Sequence, residues 1–361
     1  MMMTDSNPVL AELGGRSYQI HIGSDLLETS GEQAKHLGTK CVLITDGRVG
    51  PFYASALLDS LSAVGIQATE LTVAAGEKSK SLSVAEDLLE RMAQNGLDRS
   101  SFVVALGGGV IGDLAGFVAS IYFRGIPYIQ IPTTVLAQVD SSIGGKTGVN
   151  LATGKNLVGS FHQPRAVIVD IGTLETLPTR EFNEGFAEII KHAIIRDADL
   201  FETLKHFHRS DTDQLTAIIR RNIEIKAAIV SADEFETLGL RALLNFGHTI
   251  GHGIENAAGY GNLLHGEAIG LGILAAARLS VAKAGMPAAD CAAIEALLTQ
   301  FELPNRLPAN ITTDSILGAM ARDKKFSAGQ IRFILSSGIG DAFVSSDVAV
   351  DDIRREVEAL R

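Results

Sequence analysis

Between residues 41 and 178 the chain repeats one pattern that leaves few folds open. Short apolar runs (CVLITD at 41–46, SFVVALGGG at 101–109, GIPYIQIPTT at 125–134 and RAVIVDIGTLETLP at 165–178) alternate with helical periodicity, as in SVAEDLLERMAQNG at 83–96. An apolar run without polar alternation predicts a strand covered on both faces, and strand–helix–strand repetition predicts a parallel sheet with helices on either side. After Pro178 the rhythm stops. From Arg180 to about Leu303 the periodicity is helical almost throughout, broken by loops at 208–212, 231–239 and 259–265, and a mixed tail follows Pro304 and Pro308. A chain of 361 residues exceeds one ordinary core. The expectation is an α/β fold: a Rossmann-like parallel-sheet domain over 1–180 and a mostly α-helical domain over 181–361.

Bulk properties narrow the class. The net charge of −11 and pI near 5.3 argue against non-specific nucleic-acid binding, although a local basic pocket can still hold an anion. Cys41 and Cys291 lie far apart in unrelated contexts, which fits a reducing compartment and excludes a disulfide framework or a thiolate zinc site. MMMTDSNPVLAELGG carries no basic or apolar leader pattern, and no run of about 18 apolar residues exists, so a cytoplasmic protein without membrane contact is expected.

The first chemical signal is GGGVIG at 107–112, a G-x-G-x-x-G turn between a predicted strand and a predicted helix. Glycines let backbone approach a pyrophosphate at the positive end of a helix; the plain alternative is a tight turn. The turn comes about a hundred residues in, and the next strand ends in Pro-Thr-Thr (132–134) rather than an acidic residue, unlike the simplest dinucleotide fold. Asp46, ending an earlier strand, suits a ribose diol, and AGEKSK (75–80) adds a polar turn. DSSIGGKTGVNLATGKNLVGSF (140–161) reads as a loop in which Lys146, Lys155 and Asn156 either converge on an anion or lie on a solvated surface.

The second signal is a set of histidines and carboxylates. EFNEGFAEIIKHAII (181–195) spaces Glu184, Glu188, Lys191 and His192 by three and four, and NFGHTIGHGIE (245–255) does the same for His248, His252 and Glu255. Glu188 with His192, His248 with His252, or one residue from each segment could ligate a metal; a polar exposed helix face is the plain alternative. His248, a Gly/Asn loop and His265 in LLHGE look like two ligands joined by a turn, with a carboxylate from another helix as the third. Nitrogen and oxygen ligands suit zinc, cobalt and other divalent metals.

Taken together, GGGVIGDLAGFVASIYFRGI (107–126), IPTTVLAQVDSSIGGKTGVN (131–150), GKNLVGSF (154–161), GFAEIIK (185–191), LRALLNFGHTIGHGIE (240–255) and LLHGEAIGLG (263–272) resemble the 3-dehydroquinate synthases of the sugar-phosphate cyclase family. The match runs in the family's order from about residue 75 to 325. The resemblance implies NAD and a divalent metal, zinc first and cobalt second, a homodimer, and an active site in the cleft between the two domains. It makes Glu188, His248 and His265 the metal ligands. NAD contacts fall on Asp46, Glu77, Lys80, Gly109, Val110, Ile111, Gly112, Asp113, Thr133, Thr134, Lys146, Lys155, Thr173, Leu174, Glu175 and Thr176. Substrate contacts fall on Asp140, Lys146, Asn156, Lys191, Lys226, Arg241, Asn245, His252 and a lysine of RDKK, Lys324 or Lys325, with Arg124 reaching the partner subunit's site.

The reaction implied converts 3-deoxy-D-arabino-heptulosonate 7-phosphate to 3-dehydroquinate and phosphate, using NAD transiently at C5. The rivals are a related cyclase acting on another sugar phosphate, a metal- and NAD-dependent alcohol dehydrogenase of similar fold, and a silent NAD-binding protein. The lysine-rich segments and the intact candidate ligands count against the last two.

Overall fold

The alternating runs form the sheet they predict. In the computed structural model, which describes residues 7–259, 261–321 and 332–361, the chain divides into two units, 1–178 with 226–231 and 179–225 with 232–361. The first unit holds strands β1 (Val9–Ala11), β2 (Tyr18–Gly23), β3 (Lys40–Asp46), β4 (Gln67–Val73), β5 (Phe102–Gly107), β6 (Tyr128–Pro132), β7 (Lys146–Leu151), β8 (Gly154–Phe161) and β9 (Ala166–Asp170). Its helices are α1 (Ser30–Ala34), α2 (Gly50–Ala63), α3 (Leu82–Gln94) and α4 (Gly109–Ile121). Seven strands pair in the order β1-β2-β9-β6-β5-β3-β4, parallel throughout except for β1 against β2.

Alternate residues of the same strands feed two cores, as the period-2 geometry of a strand requires. Val42, Ile44, Val103 and Ala105 pack with Leu88 of α3 and Leu114 of α4 on one face. Leu43, Val104, Leu106, Ile129 and Ile168 pack with Ala34 of α1 and Leu57 and Leu61 of α2 on the other. Both faces are dry, which is why the strands read as unbroken apolar runs.

The segment 140–161 is not the loop its composition suggests. After a π-helical turn at Ala137–Ser141, it forms the antiparallel hairpin β7–β8. The small residues serve close packing: a Cβ on Gly159 would stand 2.1 Å from the Thr147 carbonyl oxygen, and one on Gly148 would stand 2.6 Å from that of Val158. Composition suggests a loop where the need is for a narrow interstrand gap.

The second unit holds α5 (Thr179–Arg196), α6 (Ala198–Lys205), most of α7 (Thr212–Ala232), α8 (His248–Ala258), α9 (His265–Lys283), α10 (Ala288–Gln300), α11 (Thr313–Met320) and α12 (Val350–Ala359), with a two-stranded sheet of β10 (Phe333–Gly338) and β11 (Asp341–Ser345). No helix among the described residues is long and apolar enough to cross a membrane. The histidine helix starts later than the periodicity suggests. A short 3-10 turn spans Arg241–Asn245, Gly247 takes φ +76°, and α8 begins at His248.

Helices α8 and α9 meet backbone to backbone. A Cβ on Gly272 would lie 2.1 Å from the Gly247 carbonyl oxygen and 2.7 Å from the Gly251 nitrogen, whereas one on Gly270 would meet only Leu298 and Leu303 side chains at 3.6 Å or more. Alanine gains about 1 kcal/mol of helix propensity over glycine, and backbone overpacking costs about 1–3 kcal/mol or more. Gly272→Ala is therefore expected to lower the thermal midpoint, with a net loss of about 2 kcal/mol, while Gly270→Ala leaves it unchanged or raises it. Thermal unfolding of the two purified variants checks the contrast.

Candidate functional site

Sheet order decides where a ligand can approach the first unit. From β3 the chain runs out to β4 at one edge and then returns to place β5 on the other side of β3 and β6 beyond it. The carboxyl ends of β3 and β5 thus flank a topological switch point, the usual ligand crevice of an open α/β sheet. Asp46 ends β3 and Gly107 ends β5. Helix α4 starts at Gly109 behind an extended Gly108, without an acidic residue in its first turn, so Gly109, Val110, Ile111 and Gly112 form its positive end.

Several of the other residues nominated in this unit are held by polar contacts within it. Lys80, 5 % exposed, pairs with Asp113 in α4. Glu77 Oε1 accepts from Asn150 Nδ2 at 2.7 Å, and the Asn150 N–H donates to the Lys80 carbonyl at 2.9 Å, which ties the 75–80 turn to β7. Asn150 Oδ1 accepts the Asn156 N–H at 2.9 Å, holding Asn156 at φ +55° beside Lys155 on β8; Lys146 opens β7. Thr133 donates its N–H to the Gly107 carbonyl at 3.0 Å, and Thr134 Oγ1 accepts the Ala137 N–H at 3.1 Å. The Tyr53 hydroxyl reaches the Thr173 carbonyl at 3.0 Å and Thr176 Oγ1 at 2.6 Å; Leu174 between them is buried and Glu175 exposed. Asp46 Oδ1 accepts the Arg48 and Val49 N–H groups at 2.8 and 3.1 Å, so that oxygen shapes the turn into α2. Lys226, buried on α7, grips both the carbonyl and the carboxylate of Asp140. Arg124 is exposed just after α4, with Phe123 and Arg124 at φ +48° and +70°.

In the second unit the three nominated metal ligands come together. Ligand atoms of Glu188, His248 and His265 lie within 4.8 Å of one another. Glu188, fully buried in the middle of α5, binds the equally buried Lys191 ammonium through Oε2. Among the described residues its Oε1 has no partner that meets hydrogen-bond geometry, and it stands 3.4 Å from His248 Nε2 and 3.8 Å from His265 Nε2. Metal–ligand bonds of about 2.0–2.1 Å at tetrahedral angles put two donor atoms roughly 3.3 Å apart. The separations therefore fit a small divalent cation.

Electrostatics agree with the geometry. Burial alone would raise the Glu188 pKa, but Lys191, His248 and His265 outweigh it and hold the carboxyl well below its ordinary value. Burial and the Lys191 ammonium push His248 down. His265 goes the other way: burial opposes its charge, yet the hydrogen bond and charge of Glu255, with Glu188 and Glu184, raise it to about 9. A place where carboxylates hold a proton this firmly is a place that favours a cation.

His252 lies one turn along α8, its ring centroid 5.1 Å from that of His248 and 5.9 Å from that of His265. Arg241 is buried and directed at its own loop, with Nη1 donating to the Glu234 carbonyl at 2.7 Å and Nε 3.4 Å from Glu236 Oε1. Asn245 closes the 3-10 turn before α8. Lys324 and Lys325 lie outside the described residues. Two further carboxylates belong to this cluster. Glu184 Oε2 accepts the Gly266 N–H at 2.7 Å, and Glu255 Oε2 lies 3.2 Å from His265 Nδ1. Helical spacing puts Glu184 one turn from Glu188 and Glu255 on the face of His248 and His252, but it gives neither a partner on α9.

Two family models match the chain, 3-dehydroquinate synthase N-terminal over residues 70–184 and 3-dehydroquinate synthase C-terminal over 185–326. The 3-dehydroquinate synthase of Desulforamulus reducens is 44% identical over 351 residues, covering 96% of this chain and 98% of that protein. That of Pseudoalteromonas atlantica is 45% identical over 342 residues, covering 93% and 96%. Among solved structures, 2-deoxy-scyllo-inosose synthase with carbaglucose-6-phosphate, NAD+ and Co2+ superposes with a TM-score of 0.89 at 29% identity over 98% of this chain and 100% of that one. The 2-epi-5-epi-valiolone synthase of Streptomyces hygroscopicus with NAD+ and Zn2+ gives 0.87 at 30% identity, over 95% and 96%. A glycerol dehydrogenase from Schizosaccharomyces pombe gives 0.66 at 18% identity over 94% and 87%, a likeness of fold alone. Identity of 44% along nearly the whole length, together with both family models, places this chain in the 3-dehydroquinate synthase family.

Proposed function

We propose that this chain converts 3-deoxy-D-arabino-heptulosonate 7-phosphate to 3-dehydroquinate and inorganic phosphate, with NAD and a divalent metal, zinc or cobalt, as resident cofactors. The observation that carries the reading is the buried Glu188 Oε1, facing two imidazole nitrogens and without a partner of hydrogen-bond geometry among the described residues, in a chain of this family. The bound NAD+ with Co2+ or Zn2+ in the two cyclase structures supports the same cofactor pair. Substrate identity follows the stronger likeness, 44–45% to dehydroquinate synthases against 29–30% to the other cyclases.

When bound, NAD supplies a reversible hydride acceptor and the divalent cation a Lewis acid for a secondary alcohol of the substrate. The chain's residues divide the remaining work. Glu188, His248 and His265 hold the metal. The positive end of α4 at Gly109–Asp113 takes the pyrophosphate, with Asp46, Glu77, Lys80, Thr133, Thr134, Lys146, Lys155 and Thr173–Thr176 around the nucleotide. Lys146, Asn156, Lys191, Lys226, Arg241, Asn245 and a lysine of the 324–325 pair serve a substrate that carries both phosphate and carboxylate. Ammonium groups act as point charges on phosphate, and a guanidinium can clamp a carboxylate in two places. His252, one turn beyond His248 on the same helix, is suited to moving a proton at its imidazole beside the metal set.

The net chemistry is redox-neutral. The C5 alcohol is oxidised, the proton beside the new ketone is removed, phosphate leaves by elimination, C5 is reduced again, and ring opening with aldol closure forms the carbocycle. In this reading the enzyme is a cytoplasmic homodimer. The exposed turn carrying Arg124 at positive φ supports a reach into the partner's site, and the unpaired Cys41 and Cys291 support a reducing compartment.

Two measurements test the proposal. Elemental analysis is expected to find metal lost from Glu188→Ala, His248→Ala and His265→Ala but retained at wild-type stoichiometry in His252→Ala; a metal-free His252→Ala overturns the ligand assignment. With the heptulosonate phosphate, phosphate release should proceed for many turnovers per NAD with no growing absorbance from reduced nicotinamide. Sustained NADH accumulation would instead mark a dehydrogenase.

A further inference from the structure

We propose that Glu255 is the positioning residue that makes His265 a ligand through Nε2; this rests on reading Glu188, His248 and His265 as the metal set. An imidazole that ligates a metal has given up its second proton and carries one N–H and one lone pair, and the hydrogen bond at one nitrogen decides which is which. His265 Nδ1 lies 3.2 Å from Glu255 Oε2, while its Nε2 lies 3.8 Å from Glu188 Oε1. A carboxylate only accepts, so Nδ1 keeps the hydrogen and the lone pair is left on Nε2, on the Glu188 side.

The two histidines are locked by different means. His248 Nδ1 sits 3.2 Å from the Phe246 carbonyl, an acceptor that comes with the backbone turn into α8. His265 is the first residue of α9 and its side chain is 28 % exposed. Its backbone is seated by the Glu184 carboxylate on the Gly266 N–H, at a contact where a Cβ on Gly266 would stand 1.9 Å from the Glu184 carbonyl oxygen. That contact fixes the start of the helix but leaves the ring free to turn. Glu255, from the third turn of α8, removes that freedom.

The same atoms suggest an alternative. His252, Glu255 and His265 also offer ligand atoms within 4.8 Å of one another. One imidazole lone pair cannot serve both sets, and the partnerless buried Glu188 Oε1 draws the metal to the first. Glu255 then holds the ring.

The test compares the purified zinc- and cobalt-loaded chain with Glu255→Ala and Glu255→Gln. Metal affinity is read by competition with a chromophoric chelator, ligand geometry by the visible absorption of bound Co2+, and folding by circular dichroism. Glu255→Ala is expected to weaken metal binding by about 10–100-fold and to shift the Co2+ bands, with the folded signal kept. Glu255→Gln, whose amide oxygen still accepts, restores most of the affinity and the wild-type bands. A folded Glu255→Ala with wild-type affinity and spectrum overturns the inference. If that variant does not fold, 15N imidazole shifts of the wild-type zinc form decide: metal on His265 Nε2 with hydrogen on Nδ1 is expected, and the reverse overturns it. A wild-type chain with no zinc affinity would instead remove the ligand set itself.

Discussion

A carboxylate with no exposed surface, Glu188, sits at the middle of α5 among buried neighbours that include Phe186, Ile189 and Ile190, and the second unit is organised around it. Taking a carboxylate and an ammonium out of water costs several kcal/mol per ion, and their attraction recovers this only with good geometry and further partners. Lys191 supplies one partner from the next turn of the same helix, and His248 and His265 come from two others. Such a group is poorly chosen for stability alone, since apolar residues of similar volume would cost less. A charge kept at this expense, with one oxygen that has no hydrogen bond among the described residues, needs a reason other than stability.

The histidine side of the cluster depends on backbone contacts rather than on the imidazoles. Gly247 lets the chain turn sharply into α8, Gly272 lets α9 lie against that turn, and Glu184 seats the Gly266 N–H in the first turn of α9. Fixing the ends of two helices against each other leaves only ring rotation to settle. The hydrogen bonds at His248 Nδ1 and His265 Nδ1 address that last freedom. Site geometry is thus carried mainly by groups that do no chemistry. The first unit works similarly: Asn150 joins the 75–80 turn to the hairpin tip, so residues some seventy positions apart share one small framework.

Much of this was legible in the chain. The apolar runs marked β3, β5, β6 and β9, because a strand dry on both faces has no polar alternation to hide it. The glycine turn at 107–112 was correctly set between a strand and a helix. Less visible were β4, an edge strand in which only Leu71 is buried, and the hairpin at 146–161, whose glycines meet a packing need that composition cannot distinguish from a loop. The start of α8 at His248 was not legible either, since periodicity does not register the positive φ at Gly247.

The histidines show where sequence stops. A spacing of four puts His248 and His252 on one face of a helix, and the chain alone settles that, because helical geometry is local. It does not decide whether His252 or His265 stands beside His248 against Glu188. That choice needs α9 to arrive with its first residue at the start of α8, and α5 to present Glu188 from a third direction. Both depend on contacts between backbones tens of residues apart, which no local periodicity encodes. The sequence by itself supplied the ligand types and the faces they occupy; the tertiary structure selected which of them meet, because coordination is directional and its donors come from separate helices.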